Sequence, residues 1–482
     1  MGRAIASLPV TAILVAIAGP LAMGRALAGE SESPPMGTPL TSDPTLRALV
    51  EAALAARPEI AAARAQIAAA LARAPQSRAL PDPTLALGIQ NDGFESIQVG
   101  KMASSWVYIV ASQTFPWPGK RGLREGVVTL DARGADTDLQ RQLLGVAADV
   151  ERAYVDLLLV RGQLGLLDRL DALWQQAETA ARARYEAGEG AQSDFLRAQL
   201  EKQRLRQRRW SLAADESRRV AALDRLRGRP MDEPIPTDRG LVDVPDPELP
   251  DADHAVAEAL ARSPEVRRAR LAGDQADRRV DLARRERWPD LTVSAGVMPR
   301  GGQFDTMWQA GVALNVPVWS LDRQAKVVAE NQARGQSARS TALALSQLLE
   351  QRVRERCLAL RVVLESNHLY RTGLLVQSEA TVKSTLVQYQ VGRVTFASVL
   401  EALSGYLADV NGYLESIAAG QRLAIALREL SLEAPAGAGD GTTSSNVPGA
   451  GDMAATTSTA RAATPDSAAT AGAGSGAAMS RM

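Results

Sequence analysis

The chain has few of the residues from which catalytic and metal centres are assembled. It carries 1 cysteine, Cys357, and 2 histidines, His254 and His368, which lie far apart in the sequence. A single cysteine excludes an intrachain disulfide, and two distant histidines leave no Cys/His cluster and no catalytic triad to build. Cys357 falls in the series Leu349, Val353, Cys357, Leu360, Leu364, the seam of a helix, where a buried thiol acts as a small hydrophobe. Aromatic residues make up only 4% of the chain, and Ala, Leu and Arg dominate instead. That mixture favours long helices packed through small contacts over a thick globular core. Net charge is also missing, with 55 basic against 55 acidic residues, so no overall field draws the chain to nucleic acid. The basic run from Lys202 to Arg209 reads as the solvated face of a helix whose apolar stripe is Leu200, Leu205 and Leu212.

Long apolar runs are absent except at the start. Arg3, the apolar stretch Ala4 to Ala22 and the small-residue pattern Ala26-Leu27-Ala28 predict a secretory signal over residues 1–28. No cysteine follows the cleavage region, which excludes a lipid anchor attached there. A mature protein without a spanning helix enters a membrane only as strands. From 433 to 482 the composition collapses to Ala, Gly, Ser, Thr and Pro, which predicts a disordered tail.

Between these ends the sequence is duplicated. Ala53 to Ile60 (ALAARPEI) returns as Ala259 to Val266 (ALARSPEV), and Tyr185-Glu186-Ala187-Gly188 returns as Tyr389-Gln390-Val391-Gly392. Two structural repeats follow, 44–228 and 251–432, joined by a linker over 229–250. Each opens with two short helices, the second started by Pro58 or Pro264 and stopped ahead of Pro83 or Pro289. Strands are then expected over about 83–92, 105–115, 290–299 and 306–316, because apolar and polar residues alternate strictly. Leu85, Leu87 and Ile89 share one face, as do Val107, Ile109 and Ala111; Leu291, Val293, Ala295 and Val297; and Trp308, Ala310, Val312 and Leu314. Strands of roughly ten residues suit a tilted crossing of a bilayer, and Trp106, Trp117, Trp288, Trp308 and Trp319 lie where interface aromatics would sit. An ordinary half-buried sheet with tryptophans in its core is the alternative.

Helical patterns of unusual length follow each strand pair, over about 119–187 and 192–228 in one repeat and 320–391 and 395–432 in the other. Leu139, Leu143, Val146, Val150, Ala153, Leu157, Val160, Leu164 and Leu167 alternate spacings of four and three, the mark of a coiled-coil seam. Gly188 and Gly392 supply the left-handed residue that reverses the chain, and Thr395 is placed to cap the last helix. Four strands cannot close a barrel, so several chains must close one together.

The duplication, the order of elements and both tip sequences resemble the TolC family of outer-membrane channel proteins. The segment Phe115-Pro116-Trp117-Pro118-Gly119-Lys120-Arg121 is most similar to the branch that serves heavy-metal cation efflux. The resemblance implies a mostly α fold with a transmembrane β part: a homotrimer with one twelve-stranded β-barrel and a periplasmic α-helical tunnel. It implies a passive duct in the outer membrane of a Gram-negative bacterium, with no cofactor, no metal centre and no catalysis. Its partners would be a periplasmic adaptor of the membrane fusion type, an inner-membrane pump of the RND type and outer-membrane lipid, with no nucleic acid. Adaptor contact would fall on Gly188, Val391, Gly392, Arg393 and Thr395. Pore-gating positions would be Glu401, Ser398 and Asp194; only Glu401 of the two second-tip positions is acidic, so one expected acidic ring is missing. Two other readings stand beside this one: a periplasmic coiled-coil adaptor or scaffold, and an outer-membrane duct for drugs or for type I secretion.

Overall fold

The computed structural model describes residues 43–237, 239–316 and 320–432. The expected signal 1–28, the tail 433–482 and Trp319 lie outside the described residues. The first repeat comprises α1 (Pro44–Ala56), α2 (Pro58–Arg78), β1 (Thr84–Gln90), β2 (Trp106–Phe115), α3 (Lys120–Glu186) and α4 (Gln192–Leu226). The second comprises α5 (Ala252–Arg262), α6 (Pro264–Arg285), β3 (Asp290–Met298), β4 (Met307–Asn315), α7 (Ala325–Leu369), α8 (Leu375–Gln390) and α9 (Phe396–Glu429). Element order is therefore duplicated, as the sequence repeat requires.

Proline sets the start of both second helices: Pro58 and Pro264 each occupy a first-turn position, where the missing N–H would be unpaired anyway. In the second repeat Ser263 also caps α6 through its hydroxyl, which accepts from the Val266 N–H. These helices lie along α3, so each long helix is sheathed near its strand end.

At 67 residues α3 is about 100 Å long at 1.5 Å per residue. The expected seam is buried at Val146, Val150, Leu157, Val160 and Leu167, with Leu139, Leu143 and Ala153 half-buried beside it. A second stripe, Tyr154, Val155, Leu158, Leu166 and Leu170, is buried too. α3 packs against α1, α2, α4, α6 and α9, so it needs more than one apolar face. On α4 the stripe differs from the expected one. Ala198 and Leu205 are buried, Leu212 packs beside them at heptad spacing, and Leu200 is exposed. The basic run is solvated and paired, Lys202 with Glu178, Arg204 with Glu201 and Arg209 with Asp168.

The expected linker 229–250 packs onto the helices through its apolar residues. Ile235, Leu241 and Val244 enter the main core, Arg161 donates to the Ile235 carbonyl and the Thr237 hydroxyl, and Gln421 donates to the Pro245 carbonyl. Its Pro-rich sequence hides this because three spaced apolar residues carry the contact. The helix expected over 320–391 is also not uniform. π-helical turns at Ser320–Gln324 and Tyr370–Leu374 open and interrupt it. At the second turn Tyr370 packs on Tyr413 at 5.8 Å, and its hydroxyl lies where a Cβ on Gly412 of α9 would come within 2.7 Å.

Candidate functional site: a two-faced sheet and two fastened tips

The four strands form one antiparallel sheet in the order β1-β2-β3-β4. Its registers bring every expected apolar residue to one face. Leu85, Leu87 and Ile89 pair with Ala111, Ile109 and Val107; Ile109, Ala111, Gln113 and Phe115 pair with Val297, Ala295, Val293 and Leu291; and these continue onto Trp308, Ala310, Val312 and Leu314. Gln113 is the one polar interruption. The opposite face carries Thr84, Ser112, Thr114, Thr292, Ser294, Gln309 and Asn315. Hydroxyls meet across it, Thr84 with Ser112 at 2.6 Å and Thr114 with Thr292 at 2.9 Å. The apolar face is left open: Leu87 is 66% exposed and Val312 68%. An open apolar face of this size on a folded sheet marks a contact with lipid or protein. Both outer strands, β1 and β4, also keep an unpaired backbone edge within the chain.

The tryptophans separate by position. Trp308 sits on the apolar face at the loop end of β4 and is 79% exposed, while Trp106 pairs with Gln90 and so shares the polar face. Trp117 and Trp288 stack at 5.1 Å where strands give way to helices. Beneath that stack the Lys120 ammonium is buried, donating to the Trp288 carbonyl and the Asp290 carboxylate, each at 2.7 Å. Asp290 also accepts the Trp117 N–H at 2.9 Å. The motif Phe115 to Arg121 therefore acts as a joint, with Gly119 at φ +94° making the turn.

At the far ends of the long helices both reversals are the same device. Gly188 and Gly392 take φ +74° and +73°. In each, the glycine N–H and the next N–H bond back to Tyr185 and Arg184, or to Tyr389 and Gln388, and so satisfy the helix's last carbonyls. Val391 and Arg393 stand exposed beside Gly392. Thr395 occupies the expected cap position without capping; its hydroxyl meets that of Ser398 at 3.4 Å instead.

The two tips are tied together by Arg184, which the sequence pattern did not single out, and by Tyr389 and Asp194, which it named only in the repeat and as a gate position. Arg184 of α3 donates to the Tyr389 carbonyl at 2.9 Å and lies over the Tyr389 ring at 4.9 Å. Tyr389 is 1% exposed, packs edge-on against Phe396 and donates its hydroxyl to Asp194 at 3.2 Å. Burial, together with the Asp194 charge, pushes the Tyr389 phenol up to about 12. It stays protonated, hence a donor, through the neutral range. Of the three gate candidates, Asp194 is thus engaged across the tips, Ser398 is half-buried against Thr395 and Glu401 is exposed. The tip helices also border an open pocket of about 420 Å³ lined by Gln175, Gln176, Thr179, Ala183, Arg184 and Gln390.

A four-stranded antiparallel sheet of this order, carried on two long helical hairpins, is the arrangement found in solved outer-membrane channels. CusC, described in terms of transmembrane channel formation, superposes with a TM-score of 0.70 over 84% of this chain and 98% of its own, at 16% identity. The Neisseria gonorrhoeae MtrE channel, in an open state, gives 0.66 over 80% and 89%, also at 16% identity. The chain has the TolC-type channel fold. The Vibrio cholerae outer-membrane protein VceC shares this fold too, with a TM-score of 0.66 over 80% of this chain and 96% of its own, at 17% identity. No protein-family model matches the chain. Among curated proteins, the nickel and cobalt resistance protein CnrC of Cupriavidus metallidurans is 25% identical over 275 residues. That match spans 57% of this chain and 64% of CnrC.

Proposed function

We propose that the chain is the outer-membrane exit duct of a tripartite efflux system, closed as a homotrimer and serving heavy-metal cations. The observation that carries this reading is the sheet: one open apolar face broken only at Gln113, one hydroxyl-bearing face and two unpaired edges. Three such sheets joined β4 to β1 make an antiparallel twelve-stranded barrel, which satisfies the edges and turns the apolar face to lipid. The polar face then lines an aqueous lumen. Exposed apolar residues on the long helices fit the same assembly, because Leu358, Val362, Leu369 and Val376 repeat at spacings of four, seven and seven along α7 and α8. A neighbouring copy would cover that stripe.

The tips Gly188, Val391, Gly392, Arg393 and Thr395 are the docking points for a periplasmic adaptor, through which an RND-type inner-membrane pump supplies energy. The chain itself performs no chemistry. CnrC, named for resistance to nickel and cobalt, supports heavy-metal cations as the cargo. The fastened tips would hold the tunnel end narrow, and release of Arg184 and Asp194 from Tyr389 would free the α8–α9 hairpin from the α3–α4 hairpin. Three Glu401 carboxylates converging there would favour cations.

Purified protein in planar bilayers tests this reading. Expected are discrete, cation-preferring conductance steps from a detergent-resistant trimer, and a changed conductance or cation preference in Glu401→Ala. A soluble monomer recovered from the periplasm would overturn the duct, and unchanged currents in the variant would remove Glu401 from the gate.

A further inference from the structure

Three of the four methionines among the described residues lie in the sheet's strand ends and loops. Among the described residues methionine occurs at 102, 231, 298 and 307, and none of α1 to α9 contains one. Methionine is a common filler of irregular gaps between helices, yet these helices do without it. Met298 closes β3 and Met307 opens β4, and the two are direct cross-strand partners. Such partners hold their Cβ atoms roughly 5 Å apart on the same side of the sheet. By strand parity that side is the polar one, shared with Thr292, Ser294, Gln309 and Asn315, while Val297 and Trp308 take the apolar side. Both methionines are half-buried.

The third methionine belongs to the neighbouring loop. Met102 lies two residues beyond Gly100, and Gly100 packs so closely on the β3–β4 loop that a Cβ on Gly302 would fall 2.2 Å from its carbonyl oxygen. Gly100, Gly301 and Gly302 all take positive φ, which keeps the two loops in contact. Arg300, two residues from Met298, is turned onto the Phe304 ring and the Asp305 carbonyl, and Lys101, next to Met102, is exposed.

We infer that Met298 and Met307 form a thioether site for a soft monovalent cation, Cu(I) or Ag(I), on the polar face at the loop end of the sheet, with Met102 as its neighbouring donor. Neutral sulfur ligands prefer soft cations, and two of them bind weakly enough to let the ion go, as a site at an exit must. The placement of this face in a lumen rests on the duct reading; the binding chemistry does not.

Equilibrium dialysis of the purified full chain carrying Cys357→Ser, so that no thiol competes for the metal, against Ag(I) in chloride-free buffer is the test, with metal counted per chain. Expected is one equivalent of Ag(I) at micromolar concentration, lost at least tenfold in affinity in the Met298→Leu/Met307→Leu double variant and retained in Met231→Leu. Leucine keeps the volume, and an unchanged trimer band on an unheated gel confirms that the variant folds. No binding by the Cys357→Ser parent, or equal binding by the double variant made in it, overturns the site and leaves a packing role only. Bilayer currents recorded on the same preparations separate the two ideas. Loss of Ag(I) binding with intact conductance supports both, whereas loss of binding in a protein that never conducts supports the site and removes the duct.

Discussion

Arg184 and Tyr389 show how a functional contact escapes a sequence pattern. They stand 205 residues apart, on tips of different repeats, and their duplicated counterparts Gln388 and Tyr185 make no such pair. Gly188 and Gly392, by contrast, were legible because only a left-handed residue can close that turn. Replacing Tyr389 by Phe removes the hydroxyl donated to Asp194, and replacing Arg184 by Ala removes both the cation over the ring and the bond to the Tyr389 carbonyl. Either variant should raise the mean conductance in planar bilayers, and the double variant should exceed both by less than their sum, since they act on one contact. Acidity has a defined sign here. The phenol is raised from about 10 to about 12, so its contribution is fully present below pH 10 and is lost as pH rises toward 12. Native conductance should therefore not rise through this group between pH 7 and 10, and should approach that of Tyr389→Phe above it. Gly392→Ala should cost about 1–2 kcal/mol in local strain at φ +73°. Its Cβ would also meet the Arg184 guanidinium at 3.2 Å, so current through the variant should resemble Arg184→Ala.

At the scale of elements, the boundary between strand and helix is held by a buried ion pair. The Lys120 side chain is 4% exposed and that of Asp290 27%, so the two partners are not equivalent. Removing Asp290 as Ala strands an ammonium with one carbonyl partner, a situation that costs about 3–5 kcal/mol when a buried pair is broken. Lys120→Met should cost less, because Asp290 keeps the Trp117 N–H and some water. The temperature at which the unheated trimer collapses on a gel should fall further for Asp290→Ala than for Lys120→Met. The reverse order would mean that the carboxylate is the costlier orphan. The sequence carried the lengths of these elements well, since proline and glycine bound them and the period of two or of heptads fills them. It did not carry the π-helical turn at Tyr370–Leu374, which depends on Tyr370 finding a glycine on α9, nor the docking of Ile235, Leu241 and Val244. Both are tertiary contacts laid over sequences that suit a plain helix and a plain loop.

For the whole molecule, the decisive question is how the sheet edges are satisfied. Within one chain β1 and β4 are separated by β2 and β3, about 14 Å at the usual spacing of strands, which is too far for a disulfide. Cys357 is buried, its thiol pushed up by that burial, so changing it to Ser leaves a background without reactive thiols among the described residues. Single cysteines scanned along β1 from Leu85 to Ile89, each combined with one at Val312 on β4, then report on neighbours alone. If β4 of one copy pairs with β1 of the next, at least one combination should oxidise to covalent dimers and trimers in membranes, with a parity of two along β1 because alternate residues face the same side. Monomers at every position would mean that the edges are covered by something other than a second copy. A ladder continuing beyond three chains would mean that the sheets join without closing.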